Sequence, residues 1–254
     1  MKSYIAFTKK EFCENIRTYK FFIMMAVFLL LGMMNPITAK LTPQLLKSLM
    51  PKGMNITITE PTALDSWAQF FKNVPQMGLI VLVIIFSGIM ANEFSRGTLI
   101  NMLTKGLSRS VVILSKFTMA SIVWTLSYVL CFAVTYAYTV YFWSSDGIHN
   151  ILLSVFCLWL FGILLLAIIM LGGVLFTNNY GGLLFTGGFV VVLLLLNISP
   201  TIQQYNPITL VSKNMALLTS TMAVSDFVLP IVICSVAIIA FIAFAIVLFN
   251  KKQI

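Results

Sequence analysis

The sequence predicts an all-α polytopic membrane protein: six transmembrane helices, an N-terminal interfacial helix, a short cytoplasmic docking helix and re-entrant helices before the last span. Three observations carry this. The 254 residues are 60% hydrophobic and 9% charged, with a mean hydropathy of +1.01. A soluble domain carries about 25% charged residues, so this composition cannot cover a soluble globule with polar surface. Long apolar runs follow one another along the chain, and roughly 20 residues suffice to cross a bilayer. Finally, the sixteen Lys and Arg lie mostly at the ends of those runs. Membrane loops place charge in this way, so nucleic acid is not the partner implied by the net charge of +9.

Residues 1–19 precede the first long apolar run. Ile5, Phe12, Ile16 and Tyr19 follow helical spacing, while Lys10, Glu14 and Arg17 share another face. Glu14 is placed to pair with Lys10 and with Arg17. The pattern suits a helix lying in the membrane interface, its basic side toward anionic headgroups. A solvated tail is the alternative; continuity of the apolar face with the first span favours the helix. The first span is 21–39. Its basic start and the small residues Thr38 and Ala39 have the outline of a signal peptide, but the leading region is long and structured for that role.

Residues 40–74 read as a polar outer loop containing Pro43, Pro51, Gly53 and Pro61. Its last part, PTALDSWAQFFKN, predicts an amphipathic helix starting at Ala63 or Asp65. Trp67, Phe70 and Phe71 would lie at the outer interface, where Trp is favoured. Phe142-Trp143 reads as a second outer anchor of this kind. Asn55-Ile56-Thr57 is a glycosylation sequon that matters only in a host that glycosylates surface loops.

The second span is 75–91 and the third, longer than a crossing needs, is 111–143. Between them, residues 92–110 form a short basic segment. In it Ser95 is a candidate helix cap, Gly106 a stop and Ser108 the cap of the next helix. The turn SSDGIHN holds Asp146 and the single histidine, His149, which reads as a surface residue rather than a metal ligand. The fourth span, 151–176, carries Gly162 and Gly172-Gly173, which allow close helix approach. Together with Gly187 and Gly188 they suit either packing within the bundle or a subunit contact, and packing is favoured. An uncharged turn leads to a short fifth span, 182–198. Residues 199–227 are too polar to span and too apolar for a simple loop, so they read as short re-entrant helices. The sixth span is 228–249. All of 1–254 forms one transmembrane domain.

Six spans put both ends on one side. The N-terminal tail, the segment through Lys116 and the C-terminus hold eleven Lys and Arg, against five on the other side. The positive-inside rule therefore places both termini and the 92–110 segment in the cytoplasm of a cell-membrane protein.

Absences narrow the chemistry. There is no GxxxxGK[ST] phosphate loop, no HExxH, no GxSxG and no pair of acids within a span. Catalytic, cofactor and metal sites are therefore not expected in this chain. Cys13, Cys131, Cys157 and Cys234 make no CxxC pair and read as small apolar residues. The seven acidic residues lie near span ends or in loops, whereas an ion-coupled carrier usually needs ionisable groups at mid-membrane. Energy for any movement would come from a partner.

Within NEFSRGTLINMLTKGLSRSVVILSK, residues 92–116, Glu93 is followed by Gly97-Thr98. An amphipathic turn then ends at Leu103, before Leu107-Ser108-Arg109 and Lys116. This resembles the segment between spans two and three of ABC-2 type permease subunits. The basic helix before span one (Lys9-Lys10-Glu11-Phe12), the large first outer loop and the re-entrant segment extend the likeness over essentially the whole chain.

The resemblance implies a permease subunit of an ABC transporter, similar to the small permeases of antimicrobial-peptide or drug export and resistance. It implies a second permease, identical or a sister chain, and a separate cytoplasmic ATP-binding subunit that holds ATP and Mg. The translocation path would lie at the permease dimer interface, lined by spans two and five. Glu93, Arg96, Gly97, Thr98, Leu99, Met102 and Leu103 would form the coupling helix. Its apolar side would enter a cleft on the ATPase, with Arg96, Lys105 and Arg109 paired to acids there or to membrane lipid. Lys9, Lys10, Glu11 and Phe12 would belong to the interfacial helix beside it. Two other classes stay open: an ATP-independent carrier or channel, and a membrane sensor or immunity protein that binds a peptide without moving it.

Overall fold

The computed structural model describes residues 2–49, 60–95, 104, 106–144, 148–176 and 178–252. The sequon at Asn55, the residues expected to form a coupling helix (Arg96, Gly97, Thr98, Leu99, Met102 and Leu103), and also Lys105 and Asp146, lie outside them. Among the described residues all regular structure is helical: α1 (Lys2–Arg17), α2 (Lys20–Leu49), α3 (Ala63–Asn73), α4 (Leu79–Phe86), α5 (Ala91–Ser95), α6 (Arg109–Phe142), α7 (Ile151–Leu175), α8 (Asn179–Leu196), the short α9 (Pro200–Gln203), α10 (Thr209–Ser212) and α11 (Asn214–Leu218), and α12 (Ser225–Lys251).

Among the described residues, five stretches are long and apolar enough to cross a membrane: Lys20–Leu45, Ala63–Phe94, Arg109–Phe142, Ile151–Leu175 and Ser225–Lys251. The stretch predicted as the fifth span is a shorter apolar helix, Tyr180–Leu196. Residues 199–227 hold the three short helices α9 to α11, the last two packed on α7.

The packing centres on α7. Every residue from Leu160 to Val174 is buried, as befits a helix that is apolar on all sides. α6, α8, α11 and α12 surround it, and α2 packs against α6 on the far side. Glycines set the closest approaches. A Cβ at Gly162 would lie 2.4 Å from the Trp124 ring, one at Gly173 2.9 Å from Met90, and one at Gly172 2.9 Å from Phe185. Gly187 and Gly188 differ, since a Cβ there would meet nothing within 4 Å.

Two expectations about the first outer loop are corrected. The helix that begins the first span does not stop near residue 39; α2 runs to Leu49 with Pro36 and Pro43 inside it. A proline removes the N–H that would serve the carbonyl four residues earlier. Here the Thr135 hydroxyl donates to that carbonyl, Gly32 O, at 3.1 Å. Asn35 donates to Thr135 at 3.3 Å and Asn73 to Asn35 at 2.9 Å, so the proline sits beside a satisfied polar ladder.

The second correction concerns the aromatic helix. α3 starts at Ala63, with the Asp65 carboxylate accepting the Thr62 N–H at 2.7 Å. It then continues through a π-helical turn at Val74–Gly78, containing Pro75, into α4. Trp67, Phe70 and Phe71 are not interfacial anchors. They are 1%, 0% and 6% exposed, and Trp67 and Phe70 pack on Phe132 and Tyr128 of α6. Amphipathic spacing marks a buried face but does not say whether lipid or protein covers it.

Candidate functional site

α1 turns a mixed face inward. Phe7, Glu11 and Asn15 are buried, while Ile5, Phe12 and Tyr19 are exposed. A carboxylate on the inward face demands a partner, because an unpaired buried charge is strongly unfavourable. That partner is Lys116, in the second turn of α6 and 2% exposed. Its ammonium donates to both carboxylate oxygens of Glu11 at 2.9 Å and to Glu93 Oε1 at 2.9 Å. Three bonds use all three donors of an ammonium.

Lys10 closes the cluster from the rim. Its Nζ lies 3.0 Å from Glu11, 2.8 Å from Glu14 and 2.8 Å from Glu93. Burial pulls its pKa down, but the hydrogen bonds to Glu14 and Glu93 and the field of Glu11 outweigh that and hold it above its ordinary value. The Phe7 ring lies 5.1 Å from this ammonium and 5.9 Å from that of Lys116. Glu11, Glu14 and Glu93 bring oxygens within 4.8 Å of one another. The two ammonium groups fill the space a cation would take, so the set reads as an ion cluster joining α1, α5 and α6.

A second junction ties the start of α6 to the end of α12. The last carbonyls of a helix have no partner within it. Arg109 Nη1 donates to Phe249 O at 2.5 Å, Asn250 O at 3.1 Å and Lys252 O at 2.6 Å. Lys252 in turn donates to Val174 O near the end of α7, at 2.6 Å, and lies 4.7 Å from the Phe94 ring. Its pKa is lowered by burial. Arg109→Gln should therefore free the end of α12. We expect faster amide exchange at Asn250 to Lys252, and a loss of about 1–3 kcal/mol for the stranded carbonyls. Unchanged exchange would show that water serves them equally well.

The sequence-predicted residues are thus distributed as follows. Glu93, Lys10 and Glu11 meet in one cluster; Arg109 is bonded within its own chain; Lys9 and Phe12 point outward. Gly106, at φ +87°, has the left-handed backbone expected of a helix stop, and Ser108 immediately precedes α6 without a side-chain capping bond. Ser95 is the last described residue of α5, and the helix it was expected to cap lies outside the described residues. Sequence reading missed Lys116 as the centre of the cluster. The signal was present: a lysine six residues into an apolar run must find an acid.

A groove of about 730 Å³ separates α4 from α8. Leu79, Val83 and Ile84 form one wall, Leu183, Gly187 and Val190 the other, and Phe161 and Leu165 of α7 the floor.

The family described as "ABC-2 family transporter protein" matches residues 5–254. The chain is also similar to a curated protein of Bacillus subtilis (strain 168) described as "Uncharacterized transmembrane protein YxlG". They are 21% identical over 140 residues, 54% of this chain. The match covers 54% of that relative, so the chain spans about half the length of the curated relative it matches.

Proposed function

The chain belongs to the ABC-2 transporter family, and from that premise we propose that it is the six-span permease subunit of an ABC exporter. Members of this family are multi-pass membrane subunits that generally partner with a cytoplasmic ATPase, and the apolar helices here agree with that class. On this reading α8 is the fifth span despite its length, both termini are cytoplasmic, and α1 lies on the inner surface of the cell membrane. ATP and Mg are held by the partner. Two permeases pair, and each contributes its α4–α8 groove to the path. The apolar walls of that groove suit a peptide, drug or lipid-like substrate with a large hydrophobic part.

The observation that carries this reading is the anchoring of the segment between α5 and α6. Glu93 at one end is bonded through Lys116 to Glu11 on α1, and Arg109 at the other is bonded to the end of α12. A docking helix from Glu93 to Thr104, held at these two junctions, would pass movement of an ATPase directly into three long helices. ATP would then shift the population of span arrangements by its differential affinity for them.

The test is co-purification of the tagged chain from its native host in mild detergent. We expect a stoichiometric partner carrying a phosphate-binding loop, lost when Leu99 and Leu103 are both changed to Asp. No ATPase in the purified complex, and no change on substitution, would overturn the reading and favour a carrier that works without ATP.

A further inference from the structure

The end of the bundle where α8 gives way to α12 contains a pocket of about 330 Å³, lined by polar and apolar side chains together. Lys213, just after α10, and Asp226, in the first turn of α12, both line it. Among the described residues no ion pair joins them to each other or to any other side chain. Lys213 Nζ donates to Gln203 Oε1 at 2.7 Å, which leaves two of the three donors of an ammonium for a ligand. Asp226 Oδ2 accepts the Ala223 N–H at 3.2 Å, and its second oxygen is available.

The surroundings define what such a ligand must look like. Leu229 lines the pocket and is 42% exposed, and its neighbours on α12, Val228 and Val232, are 54% and 51% exposed, so aliphatic surface adjoins the charged groups. Two opposite charges facing one small cavity without meeting are matched by a ligand that carries both signs. The aliphatic surface adds that the ligand has a hydrocarbon part. Liquid water takes about 30 Å³ per molecule, so the cavity is the size of a small headgroup with a few waters.

We propose that this pocket binds the headgroup of a zwitterionic phospholipid, with the phosphate on Lys213, a primary ammonium on Asp226 and the acyl chains along Val228 and Val232. A primary ammonium donates charge-assisted hydrogen bonds to a carboxylate, which a quaternary one cannot do. The site is independent of the docking segment and of whether the chain exports anything.

Native mass spectrometry of the full chain in mild detergent tests it. Phosphatidylethanolamine, phosphatidylcholine and phosphatidylglycerol with identical acyl chains are supplied in equal amounts. The ethanolamine lipid should be retained most, about tenfold over the glycerol lipid, the ratio one charge-assisted bond provides. Asp226→Asn keeps an acceptor for the Ala223 N–H and should abolish that preference. Lys213→Gln should weaken retention of all three lipids. Equal retention of the three lipids, or a ranking that neither variant alters, would overturn the proposal.

Discussion

Lys116→Met should be among the most destabilising single substitutions in this protein, with a loss of about 3–5 kcal/mol, the range for removing one partner of a buried ion pair. The side chain is 2% exposed and all its donors are used, so methionine of similar length leaves Glu11 and Glu93 facing each other with little water. Lys10 remains, but its side chain is 35% exposed and it already serves three carboxylates. Lys10→Met should therefore cost much less, as partly solvated pairs do. Adding Glu11→Gln and Glu93→Gln to Lys116→Met should recover most of the stability, because a neutral set carries no unpaired charge. Thermal unfolding of the detergent-purified variants measures all three. A Lys116→Met protein that melts with the parent, or a neutral triple variant no better than the single one, would show that the cluster does not hold α1 to the bundle.

The class and most of the order of elements were legible in the sequence because they follow from apolar run length and charge position. Gly106 was legible for a similar reason, since its left-handed backbone answers a local requirement. Pairings across the fold were not. Nothing local ties Glu11 to Lys116, 105 residues away, although each alone is an anomaly: an acid beside buried Phe7, and a lysine inside an apolar run. The Arg109 contacts were hidden more deeply, because they go to backbone carbonyls of Phe249, Asn250 and Lys252, which no side-chain pattern announces. Pro43 misled, because it read as part of a polar loop although it lies inside α2, which runs to Leu49. At Pro36, within the predicted span, the Thr135 hydroxyl serves the Gly32 carbonyl that the proline leaves without its helical partner. In the same way Trp67 and Phe70 had the spacing of an interfacial helix, and only their packing against α6 decides that protein covers them.

Gly162, Gly172, Gly173, Gly187 and Gly188, five of the seven glycines of α7 and α8, make the second large prediction, because spacing alone does not separate them and the structure divides them sharply. At Gly162 a Cβ would sit 2.4 Å from two ring carbons of Trp124. That ring cannot swing aside easily. Its Nε1 donates to Trp159 O at 3.1 Å, Tyr128 lies 5.0 Å from it and Phe28 5.4 Å, and it is fully buried. Gly162→Ala should therefore lose about 1–3 kcal/mol by overpacking, although alanine is the better helix former, and Gly162→Val more. Gly188→Ala should instead be neutral or gain up to about 1 kcal/mol, since its Cβ enters open space and the helix propensity term is unopposed. Trp124→Leu should be costly in the parent but nearly free in Gly162→Ala, where it relieves the clash. Thermal unfolding of this four-member cycle measures the coupling, and strict additivity would contradict the close contact of α6 with α7. That contact matters beyond stability. α6 carries both Lys116 and Arg109, so if it is locked to α7 at Gly162, these two junctions and the central helix move as one body. On the proposed reading of the chain, loosening the contact uncouples α7 from both junctions.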